Sequence, residues 1–535
     1  MTPSVLNLLL ATGALVALAG VAVAKIGARA GPAVPLTCVG VGLLLGEDRL
    51  GLPFDDVALA QTLGLAAVAV ILIGGGLGTR ISDVRQVWRP ACALATIGVF
   101  VSVAVIAAAA HYLLGLDWQL ALLLGAMLSA TDASAVFAVL RRVPLPRKLS
   151  DLLRAESGLN AAPALILVLA FSATSPGSLS PAGVLATLPY QLLAGVLVGA
   201  GVGTAAAWLL RRLTLPAGGL YSIAVFACGM FAFAAAGMAQ SSGFLAAYLA
   251  ALVLGNARLP HRQATLSLAQ GLGGIAQVGL FVMLGLLASP ADLPSAVVPA
   301  LLTGAALLLL ARPACVWLTL LPSRVPLREQ MFLSWAGLRG AVPIALATVP
   351  VMAGTPGSPA VVDIVLVLVV LFTVIQAPPL PWLTRRLGLT PPHVGSELQI
   401  ETAPLGHLRT DVLHVTVPEG SKLHGTYLDE LRLPQPAVAP LMIRDDVVFV
   451  PAADTRLRIG DDLLVLTTPP VREATERRLR AVSRTGRLAH WHGDYGHPQP
   501  PAKPSRRPAW KSNAAASPAS ASHTRSSPVT AVDSA

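Results

Sequence analysis

Four ionisable residues stand inside long apolar stretches: Asp132 in GAMLSATDASAVFAVL, Glu156 in RAESGLNAAPALILV, Arg312 in LLARPACVWL and Arg339 in SWAGLRGAVPIALA. A charge at the depth of a hydrocarbon layer costs about 3 kcal/mol or more, so each is a candidate for binding or moving an ion. Ser129, Thr131 and Ser134 place hydroxyls around the Asp132 carboxylate. Asp132 could equally cap a broken helix, and the two roles coincide where transporters bind ions. Glu156 and Asn160 fall on one helix face with Ser157 adjacent. Whether Glu156 holds a proton there depends on whether a cation or an arginine faces it; the alternative is a place near the membrane surface, paired with Arg154 or Arg147. Gly337, Gly340 and Pro343 loosen the chain around Arg339, leaving its fixed charge either a structural counter-ion or a participant. Arg312, nearer a span end, is expected to snorkel to the interface.

The elements that must hold these residues are membrane helices. Of 535 residues, 54% are hydrophobic and 12% charged, and the apolar blocks before residue 387 are long enough to cross a bilayer. The expected spans are Val5–Ala24, Val34–Leu45, Val57–Leu77, Ala91–Leu113, Gln119–Leu140, Leu152–Phe171, Leu188–Leu210, Leu220–Ala239, Gly243–Leu254, Gly271–Ala288, Val297–Leu321, Met331–Met352 and Val361–Leu383. The fold class is therefore an all-α polytopic membrane protein of about thirteen transmembrane helices, with a small cytoplasmic α+β domain. Asp132 and Arg339 lie on spans of opposite direction, which points to inverted repeats with two broken helices meeting near the midplane. The short, glycine-rich blocks at Val34 and Gly243 fit helices that line a cavity.

Alternate loops carry about eighteen Lys/Arg against roughly one, Arg49, on the other side, so the amino terminus is placed outside and the carboxyl end in the cytoplasm of an inner-membrane protein. The net charge of +11 is explained by these loops, and nucleic acid is not an expected partner. The four cysteines lie in apolar blocks and read as small hydrophobes. No HExxH, Ser/His pairing or phosphate-binding loop is present, so no enzyme activity and no cofactor are expected. Strand-like runs at Val412–Val417, Ala439–Ile443, Val447–Val450 and Leu463–Leu466 define a module over residues 400–470. Residues 496–535 are Pro/Ser/Ala-rich and basic, the composition of a disordered tail.

The segments around Asp132, Glu156 and Arg339, together with GGIAQVGLFVMLGLL, resemble the CPA1 monovalent cation/proton antiporters of the NhaP type over residues 1–387. VPEGSKLHGTYLDELRLP and DTRLRIGDDLLVL resemble a TrkA-C (RCK-C) domain, as in the potassium/proton subgroup. The resemblance implies a homodimer exchanging K⁺ or Na⁺ for H⁺ at one carboxylate-lined site, with a regulatory module that takes a small ligand. It assigns ion binding and proton exchange to Thr131, Asp132, Glu156, Ser157 and Asn160, and a structural charge to Arg339. Two positions depart from its pattern. The carboxylate taken as the principal carrier is replaced by Ala161, and an acid of the third span by Gly74. Two readings follow: a working antiporter in which Asp132 binds the cation and Glu156 exchanges protons, or a non-transporting or uncoupled paralogue that senses ions.

Overall fold

The computed structural model describes residues 33–46, 57–132, 145–172, 181–287, 293–389 and 399–486, apart from single positions and residues 406–409, and in addition Leu18 and Ala489. The first expected span, the half-span after Asp132 and the basic tail lie outside the described residues. The chain forms two compact units, Met1–Val394 and Gly395–Ala535.

In the first unit the helices are α1 (Ala33–Leu45), α2 (Val57–Gly78), α3 (Ile81–Ala95), α4 (Ile97–Leu114), α5 (Trp118–Ser129), α6 (Arg147–Leu159), α7 (Ala161–Ser172), α8 (Pro181–Arg212) and α9 (Gly218–Met238). They continue with α10 (Gly243–Asn256), α11 (Arg262–Leu287), α12 (Leu293–Ala306), a π turn at Leu307–Ala311, α13 (Arg312–Leu320), α14 (Leu327–Ala336), α15 (Ala341–Met352), α16 (Ser358–Gln376) and α17 (Leu380–Arg386). Among the described residues eight helices are long and apolar enough to cross a membrane, and α14 with α15 makes a ninth span bent by 52°. Where the ends differ from the sequence expectation, the helix outruns its apolar block. Ile81–Leu114 runs as one span of 34 residues, because an amphipathic stretch continues a helix after hydropathy falls, and α8 begins at Pro181. The last expected span instead stops at Gln376 and restarts at Leu380, where Pro378 and Pro379 interrupt the ladder.

Helices α1, α2, α8, α9, α10 and α11 pack mainly on one another, and α3 to α7 with α12 to α16 form a second group. The groups meet where α2 and α10 lie against α6, α7 and α15. Small residues permit that approach: a Cβ on Gly64 of α2 would sit 3.6 Å from the Ala345 Cβ of α15.

The second unit is a five-stranded antiparallel sheet in the order β1-β2-β5-β3-β4: β1 Gln399–Leu405, β2 Thr410–Thr416, β3 Val438–Arg444, β4 Val447–Phe449 and β5 Asp462–Thr467. Strand β5 alternates, burying Leu463, Val465 and Thr467, and α18 (Pro469–Thr485) covers that face with Leu479 and Val482. Strand β1 and α18 both lie beyond what the alternating pattern marks, and the described elements of this unit extend from Gln399 to Thr485. Asp461, 1% exposed, accepts two 2.7 Å bonds from Arg444 and one from the Arg458 N–H. These bonds push the Arg444 guanidinium pKa further up.

Candidate functional site

Two helices break toward each other. Helix α5 ends at Ser129 and the chain extends through Ala130, while residues 337–340 separate α14 from α15. Broken helices leave N–H groups bare at one end and carbonyls at the other, and here the two breaks satisfy each other. The Asp132 N–H donates to the Leu338 carbonyl at 3.1 Å, and the Ala341 N–H donates to Asp132 Oδ2 at 2.8 Å. Asp132, fully buried at 0% exposure, therefore sits at the positive N-terminus of α15, where a carboxylate is favoured. Gly340 makes this possible, since a Cβ there would collide with Asp132 Oδ2.

The negative end of the other half-helix receives the cations. Arg312 donates from Nη2 to the Leu333 carbonyl in the last turn of α14 at 3.0 Å and from Nη1 to Glu156 Oε1 at 2.6 Å. Arg312 and Glu156 are each 2% exposed. The expectation that Arg312 snorkels is thus corrected. The π turn at Leu307–Ala311 immediately precedes it, and a Cβ on Gly337 would stand 2.6 Å from the Arg312 Cζ, so the guanidinium occupies space that a glycine clears. The same pair gives Glu156 a buried partner, Arg312, rather than the place near the membrane surface that the sequence offered as its alternative. Arg339 is 1% exposed, donates from Nη1 to the Gly337 carbonyl at 3.3 Å, and lies in Coulomb range of Arg312 and Glu156. Its Nε and Nη2 have no partner among the described residues.

Asn160, at the junction of α6 and α7, donates from Nδ2 to Thr131 Oγ1 at 2.6 Å, which ties the Glu156 span to the break beside Asp132. Thr131, Asp132, Glu156 and Asn160 are all 2% exposed or less; the Asn160–Thr131 bond joins the two spans, while Asp132 accepts from the Ala341 N–H and Glu156 from Arg312. Ser157, also buried, turns its hydroxyl to the Leu153 carbonyl at 2.9 Å. Glu156 Oε2 and Asn160 Oδ1 have no hydrogen-bond donor among the described residues, and such oxygens are the donors a hard cation takes. Asp132, Glu156, Arg312 and Arg339 are the four buried charged side chains among the described residues of this unit, and formally they sum to zero.

The departures also have a place. Ala161 is buried at the start of α7, next to Asn160. Gly74 lies on α2, where a Cβ would meet the Ala269 carbonyl of α11 at 3.2 Å. Sequence reasoning passed over Tyr248 of α10, which is buried against Gly158 of α6. The signal was present, a single phenol in an otherwise Gly/Ala/Leu-rich helix.

Comparison with known proteins identifies the family of the chain and the likeness of its fold. The transmembrane sodium/hydrogen exchanger model matches residues 12–386, and the TrkA-C domain model matches residues 412–480. The chain is 34% identical over 491 residues to the K(+)/H(+) antiporter NhaP2 of Shewanella sp. (strain ANA-3), covering 90% of this chain and 85% of that protein. It is 33% identical over 486 residues to the K(+)/H(+) antiporter NhaP of Alkalimonas amylolytica, covering 88% and 83%. The solved structure of the sodium proton antiporter MjNhaP1 from Methanocaldococcus jannaschii superposes with a TM-score of 0.62 at 22% identity, over 71% of this chain and 99% of that one. That likeness is one of fold. With the family model spanning most of the membrane unit and a TrkA-C domain following it, the chain belongs to the sodium/hydrogen exchanger family.

Proposed function

We propose that this protein exchanges a monovalent cation for protons across the membrane, and that Asp132 is the carboxylate for which the two ions compete. The observation that carries the reading is a fully buried carboxylate held at the crossing of two broken helices by the Ala341 N–H. Glu156 has the Arg312 guanidinium at 2.6 Å, so its charge is matched inside the protein. Its remaining oxygen, with those of Asn160 and Thr131, supplies the coordination sphere, and Ser157 borders it. Arg339 supplies the second buried positive charge beside Arg312 and Glu156. The buried charges sum to zero before an ion enters, so replacing one proton on Asp132 by one monovalent cation leaves the total unchanged. Exchange is therefore electroneutral.

The names of the relatives favour K⁺ over Na⁺. The basic loops favour an inner-membrane protein with its amino terminus outside and the TrkA-C module in the cytoplasm, where that module binds a small regulatory ligand. A homodimer fits the fold of the sodium proton antiporter it superposes on.

The absence of a carboxylate at Ala161 and Gly74 favours one competing reading, a paralogue that senses ions without exchanging them. Everted vesicles separate the two. Cation-driven dequenching of a pH dye, scanned over K⁺, Na⁺ and pH, is expected for the wild type. A silent wild type that gains exchange on Ala161→Asp would establish the competing reading instead.

A further inference from the structure

Tyr248 is a buried polar group that the exchange reading leaves unused. Its side chain is 2% exposed. The hydroxyl interacts with the Thr79 side chain, whose own proton goes to the Gly75 carbonyl at 2.7 Å, and it makes no well-formed hydrogen bond among the described residues. Burying a hydroxyl without a well-formed hydrogen bond is costly, so such a group in a native interior has a reason to be there.

The phenol reaches from one group of helices into the other. Its ring end is seated on Gly158, where a Cβ would fall 2.6 Å from Cζ and 3.0 Å from the hydroxyl oxygen. Its backbone is set against α2, where a Cβ on Gly76 would stand 2.5 Å from the Tyr248 carbonyl oxygen. Ala161 follows Gly158 by three residues on the same face of the α6–α7 span, with Ser157 beside them. Three buried oxygens on or against this one span lack a donor or acceptor partner among the described residues: Glu156 Oε2, Asn160 Oδ1 and the Tyr248 hydroxyl. One of them is anionic but already matched by Arg312, and the other two are neutral.

We propose that the Tyr248 hydroxyl is a neutral oxygen ligand of the transported monovalent cation, acting from α10 on the face of the span where Ala161 offers no oxygen. This rests on the exchange reading above. A hydroxyl held only by a loose contact to Thr79 turns to the ion at little cost, and neutral oxygens suit a weakly hydrated monovalent cation better than a divalent one, which takes several carboxylates. It also leaves Asp132 as the group whose charge changes, since the phenol contributes a dipole and no titration.

Tyr248→Phe removes one atom and keeps the ring on Gly158. Two readouts on the purified full-length chain test the proposal: the apparent KM and maximum rate for K⁺ in proteoliposomes, and the rise of the melting midpoint with K⁺ in detergent, which reports binding directly. Losing one neutral ligand is expected to raise KM about five- to tenfold, with the maximum rate and the K⁺-free midpoint near wild type, and to diminish the K⁺-dependent rise. An unchanged KM with an unchanged rise would overturn the proposal. So would a lowered maximum rate at constant KM, which marks a part in the conformational step alone. A wild type that binds K⁺ but exchanges nothing, with binding lost in Tyr248→Phe, would remove the exchange reading and leave the ligand in place.

Discussion

Arg312→Met removes a guanidinium that holds Glu156 Oε1 at 2.6 Å and the Leu333 carbonyl at 3.0 Å. Both members of the pair are 2% exposed, so bulk water cannot replace the lost partner. Truncating one side of a buried ion pair costs about 3–5 kcal/mol, much of it for stranding the other charge. Against the roughly 5–15 kcal/mol that holds a folded domain, such a loss is visible as poor yield and a lowered melting midpoint by fluorescence-detected gel filtration. Glu156→Gln alone strands Arg312 and is expected to be destabilising as well. The double variant, with both charges gone and volume nearly kept, should recover most of the loss, giving a coupling of at least about 2 kcal/mol. The decisive readout is exchange. If Glu156 is anchored and Asp132 does the chemistry, the double variant dequenches the pH dye at a rate within severalfold of wild type. A double variant that is stable yet inactive would refute the reasoning and return proton exchange to Glu156.

Gly340→Ala places a methyl group against Asp132 Oδ2 and removes the Ala341 N–H bond, a charge-assisted contact worth about 1.5–3 kcal/mol. Exchange should fall at least tenfold while the chain still inserts and purifies; wild-type rates would show that this bond does not hold the carboxylate. In the module, Asp461→Ala strands Arg444 and frees the Arg458 N–H, and is expected to lower the midpoint of the 399–486 transition by more than Asp445→Ala does, measured in the full chain. Because its two bonds push Arg444 upward from an already high pKa, the guanidinium stays charged below its unfolded value. Its contribution is lost only as pH rises through the folded value, so the stability of this site should be flat between pH 5 and pH 9 (about the practical range) and a titration within it would contradict the pairing.

Asp132, Glu156 and Arg339 were legible in the sequence because a charge inside an apolar block is conspicuous and its cost at depth is general, whereas Arg312, near a span end, read as a side chain that snorkels. Their partners were not. That Arg312 faces Glu156 depends on a π turn at 307–311 and on space cleared by Gly337, and neither registers in hydropathy. The broken spans were visible through Gly337, Gly340 and the hydroxyl-rich stretch at Asp132, since these residues weaken a helix locally. What remained hidden is that Asp132 N–H and Leu338 carbonyl satisfy one another across the two breaks, a fact of tertiary contact. Helix ends were misplaced wherever an amphipathic turn prolonged a span, as at Ile81. Strand β1 escaped because QIETAPL carries a proline and little alternation, and α18 because it is mostly charged outside the stripe of Leu479 and Val482.

Proton release on cation binding tests the central claim most directly. Adding K⁺ to lightly buffered, detergent-purified protein near the midpoint of exchange should liberate protons in proportion to the chain in the wild type and in the Glu156→Gln, Arg312→Met double variant, and none from Asp132→Asn. Release that survives Asp132→Asn would contradict the assignment of the shared carboxylate.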